Sequence, residues 1–226
     1  TPELMMQPDL QNLVTLNGVQ EAALARWQDR GWPGTKDESW RFTRLGSLDK
    51  LSLRPANASL AKGAGNVSAH SLPADAHIIH FHNGFLVAGS LENMPEGIIA
   101  HLVDEDDLNA VVGLAPADHP VTDLTVAAMT SGLSVEVASG TRVKNPIILT
   151  FTGDSGSVST HPVVLLRVGE GAQAAIAEWH NTSVGLSVPL MAIEVADNAR
   201  LDYAKIQQDS STTAHLAATG IKMGEA

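Results

Sequence analysis

One turn is written three times in this chain of 226 residues. "VASGTRV" begins at Val137, "VGEGAQA" at Val168 and "VADNARL" at Val195, so the beat recurs after 31 and then 27 residues. Each time an apolar residue is followed by two small or polar ones, then by Gly140, Gly171 or Asn198, then by Thr or Ala, a polar residue and an apolar residue that restarts a strand. Gly and Asn tolerate a left-handed backbone, in which the Cβ of other residues crowds the following carbonyl. A repeat of this length suits stacked solenoid coils, none of which can bury its apolar face alone. A β-sandwich with three look-alike turns fits the periodicity as well. The two readings divide on one point: in a solenoid the three positions superpose at successive corners, and in a sandwich they lie on unrelated sheets.

The surrounding pattern divides the chain at about residue 130. From 131 to 226 it is a succession of short apolar runs, among them "LSVEVA", "PIILTFT", "PVVLLRV", "AAIAEW", "LMAIEVA", "LDYAKI" and "HLAATGIKM", separated by Gly, Asn, Asp, Ser and Pro. Residues 1–130 read as helical and irregular. Val19, Ala23 and Trp27 continue the spacing set by Leu16 and predict an amphipathic helix over 18–29, with Asn17 as N-cap, Gln20 completing a capping box, and Gly31 and Pro33 ending it. Further helices are predicted over 37–45, capped by Asp37, over 104–114, with acids in the first turn, and over 122–131. The stretch 54–76, rich in Ala, Ser, Gly and Pro, reads as a loop. Between 77 and 90, "HIIHFHNGFLVAG" predicts a β-hairpin turning at Asn83-Gly84, since both central residues of such a turn need positive φ.

Charge and composition narrow the function. With 14 Lys and Arg against 25 Asp and Glu, the chain carries a net charge of −11. It has no basic block with which to grip phosphate, which argues against nucleic acid and anionic membranes as partners. No apolar run approaches a membrane span, and "TPELMMQPDL" lacks the basic and apolar regions of a signal peptide, so a cytoplasmic protein is expected. There is no cysteine, which removes disulfides, thiol nucleophiles and thiolate metal ligation. The last residues, "AATGIKMGEA", stop without a cap or polar tail, as a piece of a longer product would.

Candidate chemistry is sparse. His80 and His82 alternate on one predicted strand and share a face; with no third ligand nearby they read as a solvated strand face. His180 and His215 read as turn or stack residues, and no metal site is assigned. "GAGNVS" (63–68) lacks the Gly-Lys-Ser/Thr ending of a phosphate loop. Glu136, Glu170, Glu178, Glu194 and Asp202 hold the carboxylates a β-helical polysaccharide enzyme needs. The basic and aromatic lining of a glycan cleft is nearly absent around them, with one Trp and one Tyr in the region.

Several segments resemble the SufB/SufD family, and its SufD branch in particular. "KDESWRFTRLGSL" (36–48) resembles the family's N-terminal signature through Glu38, Trp40, Arg41, Phe42 and Thr43. "VVLLRVGEGAQAAIAEWH" (163–180) and "VADNARLDYAKIQQDSSTTAHL" (195–216) are similar to two of its coils, and "HFHNGFLV" to a further run. The resemblance covers nearly the whole chain in order. It implies a mainly β fold, a right-handed parallel β-helix preceded by an N-terminal helical region, and a non-catalytic scaffold role in SUF iron–sulfur cluster assembly. The implied partners are a SufB-like paralogue and a SufC-like ATPase. The family's C-terminal coils and helical domain, where SufC docks, have no counterpart here. No cofactor is expected on this chain, since protein-bound clusters are usually held by Cys thiolates; the cluster would sit on the full complex. Trp40 and Phe42 are expected to anchor the helical region onto the solenoid, and an open last coil is expected to pair with a second copy as a homodimer. A β-helical glycan enzyme and a generic interaction module are the alternatives.

Overall fold

The computed structural model describes residues 17–43, 45, 48, 54–61, 72–117 and 119–225. Its centre is a parallel β-solenoid of about three turns, with three sheets as sides. The first complete coil runs β5 (Ser131–Val137), β6 (Ile147–Gly153), β7 (Val158–Thr160). The second runs β8 (Pro162–Val168), β9 (Gln173–Thr182), β10 (Leu186–Ser187). The third runs β11 (Leu190–Val195), β12 (Arg200–Gln207), β13 (Ala214–His215), and β14 (Ala218–Met223) begins another. Before them come β1 (Arg54–Pro55), β2 (His77–His82), β3 (Phe85–Leu86) and β4 (Ile98–Leu102). The sheets are ordered β4-β5-β8-β11-β14, β3-β2-β6-β9-β12 and β1-β7-β10-β13. At the starting end two sheets are finished by antiparallel strands: β4 lies against β5, and β3 against β2.

The repeated turn is the corner between the first two sheets. Val137, Val168 and Val195 stand in one register across β5, β8 and β11. Gly140, Gly171 and Asn198 follow at φ of 70°, 65° and 56°. Their N–H groups donate across to the next coil: Gly140 to the Glu170 carbonyl (2.8 Å), Gly171 to Asp197 (3.0 Å), Asn198 to Glu225 (2.9 Å). The corners superpose, as a solenoid requires and a sandwich does not. The difference between the two periods is visible in the register. Paired residues of the first two coils are 31 apart at Val137 and Val168 and at Arg142 and Gln173, 29 apart at Ile147 and Ile176, and 27 apart at Ser159 and Leu186. The longer coil lets out its extra residues at two bends, before β6 and before β7.

The sheet containing β5, β8 and β11 is buried on both faces, which explains runs such as "PVVLLRV" in place of alternation. Val164, Leu166, Val168, Met191, Ile193 and Val195 point into the solenoid. Val163, Leu165, Leu190 and Ala192 point outward and are covered by α1 (Gly18–Arg30), α2 (Glu105–Leu114) and α3 (Pro120–Ala127). The fit is close at Gly220 of β14, where a Cβ would overlap the Leu114 carbonyl at the end of α2. No helix among the described residues is long and apolar enough to cross a membrane.

Local predictions fare unevenly. The α1 capping box forms, with Asn17 Oδ1 accepting from the Gln20 N–H (3.0 Å) and Gln20 Oε1 from the Asn17 N–H (3.4 Å); Leu16 lies outside the described residues. Asp104 caps α2. Asn83 and Gly84 make the hairpin turn at φ of 48° and 83°, though its return strand has only two residues. The helix predicted over 122–131 begins earlier, because Pro120 sits comfortably in a first helical turn, and it ends earlier, because Ser131 already belongs to β5. The helix predicted over 37–45 shrinks to a 3₁₀ turn, Glu38–Trp40. Asp37 does not cap that turn; its carboxylate accepts instead from the Gly34 N–H (2.6 Å). Within the predicted loop, Arg54–Pro55 pairs with β7 and Ala58–Ala61 forms a 3₁₀ turn, while 62–71, including "GAGNVS", lies outside the described residues.

Corner substitutions test this architecture. Gly171→Ala places a Cβ at φ 65° and is expected to lower unfolding free energy by about 1–2 kcal/mol. Asn198→Gly is expected to change it by no more than a few tenths. Urea denaturation measures both.

Candidate functional site

The interior of the solenoid changes character along its axis. One row of inward positions runs Ile147, Ile176, Tyr203; the next runs Leu149, Glu178, Lys205; the third runs Phe151, His180, Gln207. The coils are apolar where they start and polar where β12 closes them. Strand alternation sends Ala174, Ile176, Glu178 and His180 of β9 to the same inner face, so two ionisable side chains enter the core with no exposure. Each is compensated. Glu178 Oε2 accepts from His180 Nε2 (2.8 Å), while Oε1 takes the Tyr203 hydroxyl proton and pairs with Lys205 Nζ (3.2 Å). The His180 ring lies flat against Phe151, centroids 4.5 Å apart, and Phe151 against Phe81 at 4.9 Å.

The bend after β12 brings in a second carboxylate. Asp209 Oδ1 accepts from the N–H and hydroxyl of Thr182 (2.9 and 3.0 Å), and Oδ2 from His215 Nδ1 (2.9 Å). Burial alone would raise its pKa; the bonds from His215 and Thr182 outweigh it and hold the group down at about 2. Desolvation lowers His180 even against the pull of Glu178. Outside this cluster, burial pushes His161, whose Nε2 meets Ser159 Oγ, down to about 3. Burial and the neighbouring His82 push His80 down to about 4.

The residues singled out in the sequence are distributed as follows. Gly140, Gly171 and Asn198 are corners and line no site. Trp40 is half-buried against the Trp27, Trp32 and Leu124 cluster and meets the His119 ring at 5.4 Å, tilted by 47°, so it anchors the helical region. Phe42 does not: it is 86% exposed, with the Arg41 guanidinium 4.6 Å above its ring, because the 3₁₀ turn ends before it and swings it outward. Glu38, Arg41 and Thr43 are exposed as well. His80 and His82 share a face but not a solvated one. Both rings meet Thr152 Oγ1 (2.7 and 3.0 Å), and Ser90 of the returning chain covers His80. Of the carboxylates, Glu178 lies inside the solenoid, Asp202 beside Arg200 and Glu170 on the outside, while Glu136 and Glu194 share one outer row on either side of Arg167, with Glu194 on Lys222. A further trio, His101, Asp104 and Asp107, stands at the start of α2, where Arg167 already occupies an Asp107 oxygen (2.8 Å).

His180 and His215, read separately from the sequence, meet: their ring centroids are 4.9 Å apart. Alternation in "AEWHN" carried the signal that Glu178 and His180 share an inward face. Nothing local places His215, which arrives on the two-residue strand β13, beside them.

Comparison with known proteins places this region in context. Residues 151–226 match the family model described as SUF system FeS cluster assembly, SufBD core domain, a span that contains the whole interior network. The chain is 25% identical over 215 residues to the iron–sulfur cluster assembly SufBD family protein slr0076 of Synechocystis sp., covering 85% of this chain and 48% of that protein. It is 22% identical over 243 residues to the protein ABCI7, chloroplastic, of Arabidopsis thaliana, covering 92% and 47%. The chain thus spans about half the length of the curated relatives it matches.

Two measurements test the placements. Trp40→Ala is expected to destabilise by about 2 kcal/mol and Phe42→Ala by less than about 0.5, compared by denaturant titration. His80 and His161 have folded pKa values of about 4 and about 3, below the usual value near 6.5. On acidification the unfolded chain therefore takes up protons first, so stability is full above pH ~6.5 and is lost as pH falls towards ~3. Melting temperature is expected to rise steadily from pH 4 to 7; a flat profile contradicts the burial of these rings.

Proposed function

The chain belongs to the SufB/SufD family of the SUF iron–sulfur cluster assembly system, and from that premise we propose that it acts as a cytoplasmic scaffold subunit of the SufD type. Its partners on this reading are a SufB-like paralogue and a SufC-like ATPase, which supplies the energy, and the chain itself performs no catalysis. The observation that carries the proposal is the core-domain match falling on stacked coils in a chain with no cysteine. Coils that carry no thiolate are suited to shaping and pairing with the part of the complex that holds the cluster, since such clusters are usually ligated by Cys.

Of the carboxylates a glycan hydrolase needs, Glu178 is enclosed in the solenoid, and Glu136 and Glu194, which share an outer face, stand two strands apart with Arg167 between them and Lys222 on Glu194, which leaves the scaffold reading better supported.

Affinity purification of the tagged protein from its own cells, followed by mass spectrometry, tests the reading. Recovery of a paralogous β-solenoid subunit together with an ATPase is expected. Recovery of neither overturns it.

A further inference from the structure

The interior network leaves two nitrogen atoms over. His180 Nε2 faces Glu178 Oε2 at 2.8 Å and His215 Nδ1 faces Asp209 Oδ2 at 2.9 Å. A carboxylate only accepts hydrogen bonds, so each ring turns its N–H towards its carboxylate and keeps a bare lone pair on the other nitrogen. Those atoms, His180 Nδ1 and His215 Nε2, are buried and have no hydrogen-bond partner. The side chains themselves are 0% and 8% exposed. Other buried polar atoms lack partners too, among them His119 Nδ1 and His161 Nδ1, but only His180 and His215 are neighbouring rings each backed by a carboxylate.

Each ring is held as a metal-binding His is held. A metal-binding His characteristically donates its remote N–H to a carboxylate, which fixes the tautomer, aims the ring and makes the free nitrogen more basic. The two rings stand perpendicular, at 89°, with centroids 4.9 Å apart, a separation that one ion with metal–nitrogen bonds of about 2.0–2.1 Å can span. The His180 ring is already held by its stack on Phe151, so little ordering is left for binding. Charge agrees. Glu178 and Asp209 bring two carboxylates to the network and Lys205 brings one cation, a net negative setting that attracts a cation. Imidazole nitrogen selects the borderline transition metals over magnesium or calcium, which prefer oxygen.

We propose that His180 Nδ1 and His215 Nε2 bind one borderline divalent transition-metal ion, of the Fe²⁺, Co²⁺, Ni²⁺ and Zn²⁺ class, between the second and third coils of the solenoid, with water at its remaining positions. Glu178 and Asp209 act behind the two ligands as positioning residues. The site rests on these four side chains and stands independently of the scaffold reading.

Cobalt chloride is the probe, added to the chelator-treated full chain. Expected are ligand-field absorption saturating at one equivalent and a higher melting temperature with cobalt present. His180→Phe keeps the stack on Phe151 and His215→Gln keeps a polar group; each is expected to weaken binding by at least tenfold, with folding checked by circular dichroism. Glu178→Gln is expected to weaken it by about 10- to 100-fold, as loss of such a supporting carboxylate does. Asp104→Asn, in the trio at the start of α2, is expected to leave binding unchanged. Absence of stoichiometric binding by the unmodified chain overturns the proposal, whatever the fate of the variants. So does binding that survives both histidine substitutions, or that Asp104→Asn removes.

Discussion

Parallel pairing between successive coils is the constraint on which everything else rests. A backbone that climbs one strand spacing per turn satisfies its N–H and C=O groups only if every turn bends at the same place. The left-handed residues at 140, 171 and 198 provide that place, and their N–H groups carry the ladder around the bend to the coil above. Once the corner is common, the rows of inward side chains follow without further specification, because register and alternation together decide what stacks on what. Phe81, Phe151 and His180 form a stack for this reason.

The same rows explain how charged groups come to lie in a core. A solenoid interior is long and narrow, so one position repeated on successive coils turns a single substitution into a neighbour for the coils on either side. Glu178 replaces the leucine that the preceding coil carries at that position, and the following coil answers with Lys205. An isolated buried carboxylate is prohibitive; one that accepts from an imidazole and a phenol and pairs with an ammonium is tolerable. Such a network does little for net stability. Its value lies in geometry, since it holds His180 and His215 in fixed orientations, perpendicular and in contact.

Much of this fold is legible in the sequence where local chemistry is unambiguous. Asn17 with Gln20 makes a capping box, Asn83-Gly84 a tight hairpin turn, and Gly or Asn at the fourth position of the beat a left-handed corner. In each case a few adjacent residues decide the conformation. The third side of the solenoid is not legible, because β10 and β13 have two residues each and strands that short carry no period. Phe42 misleads for a different reason: two aromatic residues two apart suggest a shared anchor, yet which of them is buried depends on where the turn ends, and Trp40 takes the cluster. The site is half legible. "AEWHN" places Glu178 and His180 on one face, while His215 and Asp209 join them only through the bend after β12, whose path depends on the coil beneath it.

The sheet buried on both faces sets an order in time. Helix α1 is synthesised first among the described elements and packs mainly on α3, and the layer that the helices form is laid over Val163, Leu165, Leu190 and Ala192, with Ala218 in the same cluster. Between Ala23 and Ala218 lies most of the polypeptide. A chain emerging from the ribosome therefore carries its helical layer without the sheet beneath it until β8, β11 and β14 have been made and stacked, and contacts at such separation are slow to close. Until then the helices present an adhesive face to their surroundings, which makes assistance during synthesis more valuable here than in a protein whose first-made element pairs with its immediate neighbour.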